Sequence, residues 1–246
     1  NPQVSGYHGF YLTKAGVAAR QQMIEHILKA LLAGGAPLQQ VVAYDLMNEG
    51  HFREDQLPLS LSKGSVTTFL GTYDMGSTAQ RNKMMNDAFI NLINTLRAAI
   101  RELHPTALVS LSFYAPRAVQ GPDQRVLPPP VPVVLSSTAD FVDLHLYNWG
   151  SMSELAKDVG LPASTSKPVV MGETGVTKKD YPQVTKAAYW ARDWQVASCK
   201  RGFDGWLFWT FDGCLGSNAV HWDLLDKGGA INGQWAPVAR PDPCVP

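Results

Sequence analysis

Short apolar runs alternate along the chain with longer segments whose apolar residues recur every three or four positions, the period of a helix packed on one side. The first such segment covers roughly residues 15–32, where Met23, Ile27 and Leu31 fall four apart with Ile24 and Leu28 beside them, so one buried stripe is expected. Gly34 and Gly35 follow it, and glycine accepts the left-handed conformation that ends a helix. A second helix is predicted over roughly 78–103, with Thr78 as its cap, Met85, Phe89, Leu92, Leu96, Ala99 and Leu103 on its apolar face, and His104-Pro105 as its stop. A short helix is expected near 152–158. A third long one is expected over roughly 181–199, with Asp180 as its cap and Ala187, Trp190 and Trp194 on one face.

Between these helices lie five candidate strands, at 41–47, 108–113, 141–147, 169–172 and 205–210. Their interiors are almost wholly apolar, as happens when helices cover both faces of a parallel sheet. Strand–helix alternation of this kind predicts an α/β fold with βα crossovers. The segments 50–77 and 114–139 read as loops, with Pro128–Pro132 as a stiff connector, and no final helix is expected after residue 210.

Composition narrows the function. The chain has 246 residues, the length of one (β/α)8 barrel or two ordinary domains. Lys plus Arg equals Asp plus Glu at 21 each, so no basic excess points to nucleic acid. Hydrophobic residues at 45% exclude a disordered chain. No apolar run reaches the roughly 18 residues of a membrane span. No basic segment followed by an apolar one opens the chain, so any leader is expected to be already removed or never present. Three cysteines are too few for a disulfide scaffold.

The polar chemistry gathers at the strand ends, where ligands bind in parallel α/β sheets. The first strand ends Asp45-Leu46-Met47-Asn48-Glu49. The third carries Asp143, His145 and Tyr147 at alternating positions, hence on one face. The fourth ends Gly172-Glu173, and the fifth runs out through Trp209 to Asp212. Two glutamates at strand ends of one sheet offer the paired carboxylates that glycoside hydrolysis needs: one protonated to assist the leaving oxygen, one ionised to attack, about 5–5.5 Å apart when configuration is retained.

Asn48-Glu49, His145-x-Tyr147, Glu173 and Trp209, in this order on successive strands, resemble the retaining β-glycoside hydrolases of the (β/α)8 clan, and most of all glycoside hydrolase family 5, the cellulase and mannanase family. The resemblance covers roughly residues 10–240 and implies a single catalytic domain over 1–246, of the TIM (β/α)8 barrel type, acting on a β-1,4-linked glucan or mannan. It implies that Glu49 is the acid/base and Glu173 the nucleophile. It further implies that Asn48 binds the sugar 2-hydroxyl, that Tyr147 donates to Glu173 and holds it ionised and oriented, that His145 lies beside the acid/base or the sugar, and that Trp209 is the stacking floor.

In that register the five strands are the fourth to the eighth, and about 90 residues of barrel would precede them. The first three βα units, with the family's strand-two Arg, have no counterpart here, so a partial or N-terminally truncated barrel is expected. A longer parent protein, a second chain completing the barrel and a partial barrel in its own right all stay open. The alternative function is a carbohydrate-binding pseudoenzyme or an inactive barrel fragment.

Other residues extend the expectation. Tyr114, Trp149 and Trp222 lie just past strand ends and are candidate sugar platforms, with packed loop anchors as the competing reading. Asp143 reads as a structural buried carboxylate, Trp206 as core, and His51 as a solvated loop residue. No His, Cys and acid spacing matches a metal site, so neither metal nor cofactor is expected. The partner is a β-linked oligo- or polysaccharide, with neither nucleic acid nor membrane. Cys214 and Cys244 are expected to pair in the tail, which fits a secreted or periplasmic protein, and Cys199 to be a free buried thiol.

Overall fold

The computed structural model describes residues 4, 6–116, 125–211, 220–236 and 242–245. The chain divides into two compact units, Asn1–Val142 and Asp143–Pro246.

The first unit opens with a 3-10 turn at Gly6–His8 and helix α1 (Gly9–Leu12), then α2 (Lys14–Ala33), whose N-cap Thr13 accepts from Gly16 N–H. Strand β1 (Ala43–Asp45) follows. The expected polar loop holds three short strands instead, β2 (Phe52–Arg53), β3 (Ser65–Thr67) and β4 (Thr72–Asp74). Helix α3 (Thr78–Leu103) is capped by Ser77, one residue before the predicted Thr78. After it come β5 (Leu108–Ser110), β6 (Ser112–Tyr114), β7 (Val126–Leu127) and α4 (Val131–Ser136). The proline-rich segment thus enters a helix, because Pro132 sits in the first turn, where a missing N–H costs nothing.

Strand β1 pairs with β5 in parallel, Tyr44 opposite Val109; β2 pairs with β7 and β3 with β4, both antiparallel. The core lies along α3, where Met84, Ala88, Phe89, Leu92, Ile93 and Leu96 are buried. Tyr11, Phe52 and Phe89 close one end with ring centroids 4.7–5.5 Å apart. His8 is fully buried there: its Nε2 accepts from Arg53 N–H at 2.8 Å, so its Nδ1 carries the proton and donates to Leu57 O at 2.8 Å.

Helix α2 departs from expectation. Only Val17 and Leu28 are buried, while Met23 and Ile27 are about half exposed, at 55% and 49%. A stripe is buried only where another element packs on it, and α2 meets α1 and α3 along a different face.

The second unit contains β8 (Val142–His145), α5 (Met152–Asp158), β9 (Val169–Thr174), α6 (Val184–Cys199) and β10 (Gly205–Phe208). The strands lie in the order β10-β9-β8, with β9 and β10 parallel. Helix α6 begins three residues later than predicted and has no side-chain cap; Asp180 instead accepts from Thr177 Oγ1 and Asn148 Nδ2. Its buried face, Ala187, Ala188 and Ala191, packs with Val176, Ile231 and Trp235. Trp206 packs on this cluster as expected, donating from Nε1 to Ser198 Oγ at 2.6 Å. The tail also holds two helical turns, Asp226–Gly229 and Asn232–Trp235.

The cysteine expectation is corrected. Cys199 and Cys244 form a disulfide, tying the end of α6 to the tail. Cys214 lies outside the described residues, as does Asp212. Cys199 is therefore no free thiol, since pairing is decided by proximity in space, which spacing in sequence does not give.

The five predicted strand positions are all occupied, and the fold is α/β with parallel pairs. Among the described residues β1 has one sheet partner, β5, and β10 has one, β9, so they form no closed eight-stranded ladder. No described helix is long and apolar enough to cross a membrane.

Candidate functional site

In the first unit the site is a turn. Asn48 is exposed and Glu49 half-buried just past β1. Glu49 has φ 53, a left-handed conformation that costs a non-glycine residue roughly 1–2 kcal/mol. Four hydrogen bonds hold the main chain there. Glu49 N–H donates to Ser112 Oγ at 3.1 Å, Gly50 N–H to Ser112 O at 2.9 Å, His51 Nδ1–H to Glu49 O at 2.8 Å, and Met47 N–H to Asp45 Oδ1 at 3.2 Å. The expected solvated role of His51 gives way to a structural one, because its ring proton closes the turn.

Aromatic rings flank this turn. Tyr114 is buried, and its ring lies 6.1 Å from that of His51, which lies 5.5 Å from Tyr7. Burial, reinforced by the negative charge of Glu49, pushes the Tyr114 hydroxyl up to about 12. Tyr11 donates to Met47 Sδ at 2.8 Å, anchoring the residue before Asn48.

In the second unit the site is built on side chains. His145 and Tyr147 are buried, and Glu173 is near the end of β9. Tyr147 donates its hydroxyl to Glu173 Oε1, and His145 Nδ1 lies 3.2 Å from Glu173 Oε2, so both carboxyl oxygens are engaged. The main chain is fixed as well: Leu146 N–H donates to Glu173 O at 3.0 Å, and Trp209 N–H to Thr174 O at 2.6 Å.

Two glycines make room for this arrangement. A side chain at Gly172 would drive its Cβ into Asp143 Oδ1, and one at Gly175 would meet Trp209 O at 2.5 Å. Asp143 is buried, as expected of a structural carboxylate.

The remaining predicted residues divide. Trp149 packs beside Tyr147, with ring centroids 4.9 Å apart. Trp209 follows β10 with half its surface exposed, 50%. Trp222 lies elsewhere. Its indole N–H donates to Tyr181 O at 2.7 Å, Lys178 Nζ lies 4.9 Å from its ring centre, and it packs on the α6 cluster.

His221 joins the group without having been foreseen. Its ring lies 5.4 Å from that of Tyr147. Burial lowers its pKa, against the opposing charges of Glu173 and Asp223, so it is neutral at pH 7. It sits in an irregular tail, where no periodicity marks a position, and its only signal was an aromatic neighbour, Trp222.

The chain matches no protein-family model and no curated protein. Several solved structures are similar to parts of it, three of them as follows. An endo-β-1,4-mannanase from Thermotoga petrophila is 22% identical, over 59% of this chain and 36% of that one, with a TM-score of 0.34. A β-glucuronidase from Bacteroides uniformis is 14% identical, over 55% and 17%, with a TM-score of 0.36. A β-1,4-mannanase from the sea hare Aplysia kurodai is 19% identical, over 65% and 46%, with a TM-score of 0.32. The matched region is under half the length of each of these proteins.

Proposed function

We propose that the chain is the catalytic part of a retaining β-glycoside hydrolase acting on a β-1,4-linked glucan or mannan, with Glu49 as acid/base and Glu173 as nucleophile. The observation that carries this reading is the Tyr147–Glu173–His145 constellation, which engages both oxygens of one carboxylate and so aims it. A nucleophile that attacks a single carbon gains most from fixed orientation.

In the first step Glu173 bonds to the anomeric carbon while the glycosidic C–O bond breaks and the leaving oxygen takes the Glu49 proton. In the second, Glu49 removes a proton from water, whose oxygen displaces Glu173 and restores the starting configuration. Trp209 and Trp149 supply aromatic surface for pyranose rings, and Asn48 a polar contact. The Cys199–Cys244 disulfide supports a secreted or periplasmic location, because such bonds persist in oxidising compartments.

Reducing-sugar release from a panel of β-glucans and mannans tests the proposal. The unaltered protein is expected to turn over at least one of them, and Glu49→Ala and Glu173→Ala to lose activity on the order of 10³-fold or more. Full activity in both variants contradicts the assignment. Oligosaccharide binding by calorimetry with no turnover on any substrate favours a carbohydrate-binding protein instead.

A further inference from the structure

The reading of Glu49 as proton donor raises the question of what aims it, and the following inference rests on that reading. We propose that Ser112 and Asp45 are positioning residues for Glu49, acting through its main chain. Glu49 and Lys227 are the two non-glycine residues with positive φ among those described, so the conformation at Glu49 needs an external restraint. Ser112 supplies it twice, accepting Glu49 N–H at Oγ and Gly50 N–H at its carbonyl oxygen.

The direction of the first bond depends on Asp45. A serine hydroxyl has one proton and two lone pairs. Asp45 Oδ2 takes that proton at 2.7 Å, shorter than the 3.2 Å to Met47 O, and its Oδ1 accepts Ser112 N–H at 2.8 Å. A carboxylate only accepts, so it draws the hydroxyl proton to itself and leaves a lone pair facing Glu49 N–H. Ser112 is fully buried, and its hydroxyl is thereby locked in one direction. An asparagine at position 45 brings donor hydrogens to the same hydroxyl and competes for that lone pair.

The test uses leaving groups. Proton donation matters for a sugar or alkyl leaving group, and little for dinitrophenolate, which departs unassisted. In the intact protein, Ser112→Ala and the isosteric Asp45→Asn are expected to lower kcat/KM on the polysaccharide by about 10–100-fold, the cost of misplacing a catalytic group by a fraction of an ångström. On a dinitrophenyl β-glycoside the expected change in kcat/KM, which reports only the steps up to the glycosyl-enzyme, is about twofold or less, and thermal melts confirm that the variants fold. Glu49→Ala is run beside them. Selectivity in the kcat/KM of Glu49→Ala with an equal loss on both substrates, or no loss, in the other two variants overturns the positioning role alone. A Glu49→Ala variant whose kcat/KM falls equally on both substrates overturns the acid/base reading, and this inference with it.

Discussion

The contacts described above for Glu49 and for Glu173 differ in kind. The turn at Glu49 is gripped through its main chain, by Ser112 and His51, in a left-handed conformation. Glu173 sits in ordinary strand geometry at β9, its main chain bonded to Leu146, and is gripped through its carboxyl as well, by Tyr147 and His145. The difference matches what the two proposed roles demand. A nucleophile forms a bond along one line, so its oxygens are fixed. An acid/base serves two partners in turn, a leaving oxygen and a water, so its backbone is anchored. The two units also differ in how they are stabilised. The first rests on a long amphipathic helix, α3, and the second on a disulfide and an aromatic cluster.

The largest expected effect tests that second contrast. The disulfide spans 45 positions in sequence, and closing a loop of that length removes about 4 kcal/mol of unfolded-state entropy in the chain-entropy estimate. Cys199→Ser, or reduction of the bond, is expected to lower the melting temperature of the second unit. Unchanged melting under reductant would mean that the aromatic cluster alone suffices. Next comes the contrast in how the carboxylates are held. Tyr147→Phe removes one donor from Glu173 and is expected to reduce kcat by about 10²-fold, the usual cost of a lost active-site donor, with KM little changed. A loss confined to KM would assign Tyr147 to sugar binding instead.

The smallest effect belongs to the first unit's ionic anchor. Burial pushes the Asp140 carboxyl up, but Arg97, Val109 N–H and Arg101 outweigh it and the net shift is downward. A lowered folded value contributes stability that is present above the ordinary Asp value and is lost as pH falls through the folded one. Denaturant titrations are therefore expected to show the unaltered protein losing stability from about pH 4 downward, and Asp140→Asn, weaker at neutral pH, losing less over that range. Parallel pH profiles for the two would remove Asp140 as the anchor.

Much of the fold was legible because period and burial coincide. The buried face of α3 follows its predicted stripe, and all five strand positions hold strands. The rest depended on information that local pattern does not carry. Strands of two or three residues, such as β2, β3 and β4, are too short to show alternation. Pro132 hid a helix whose first turn it in fact suits. The Met23–Ile27–Leu31 row had the right period but no packing neighbour to bury it. Among the candidate residues, Glu49, His145, Tyr147 and Glu173 were singled out because they lie at or just past strand ends. His221 and the Asp45–Ser112 contact were not, since one lies in an aperiodic tail and the other joins residues 67 positions apart. Trp222 sat where a sugar platform was expected, yet its indole N–H found a backbone oxygen and its ring a core.

The central claim, that Glu173 is the nucleophile of a retaining reaction, is tested most directly by trapping. An activated 2-deoxy-2-fluoro glycoside, matched to whichever sugar the turnover assay identifies, is incubated with the protein, and the labelled peptide is sequenced by mass spectrometry. One covalent sugar on Glu173 is the predicted result. A label on any other residue, or a product of inverted configuration in the parallel turnover assay, would contradict it.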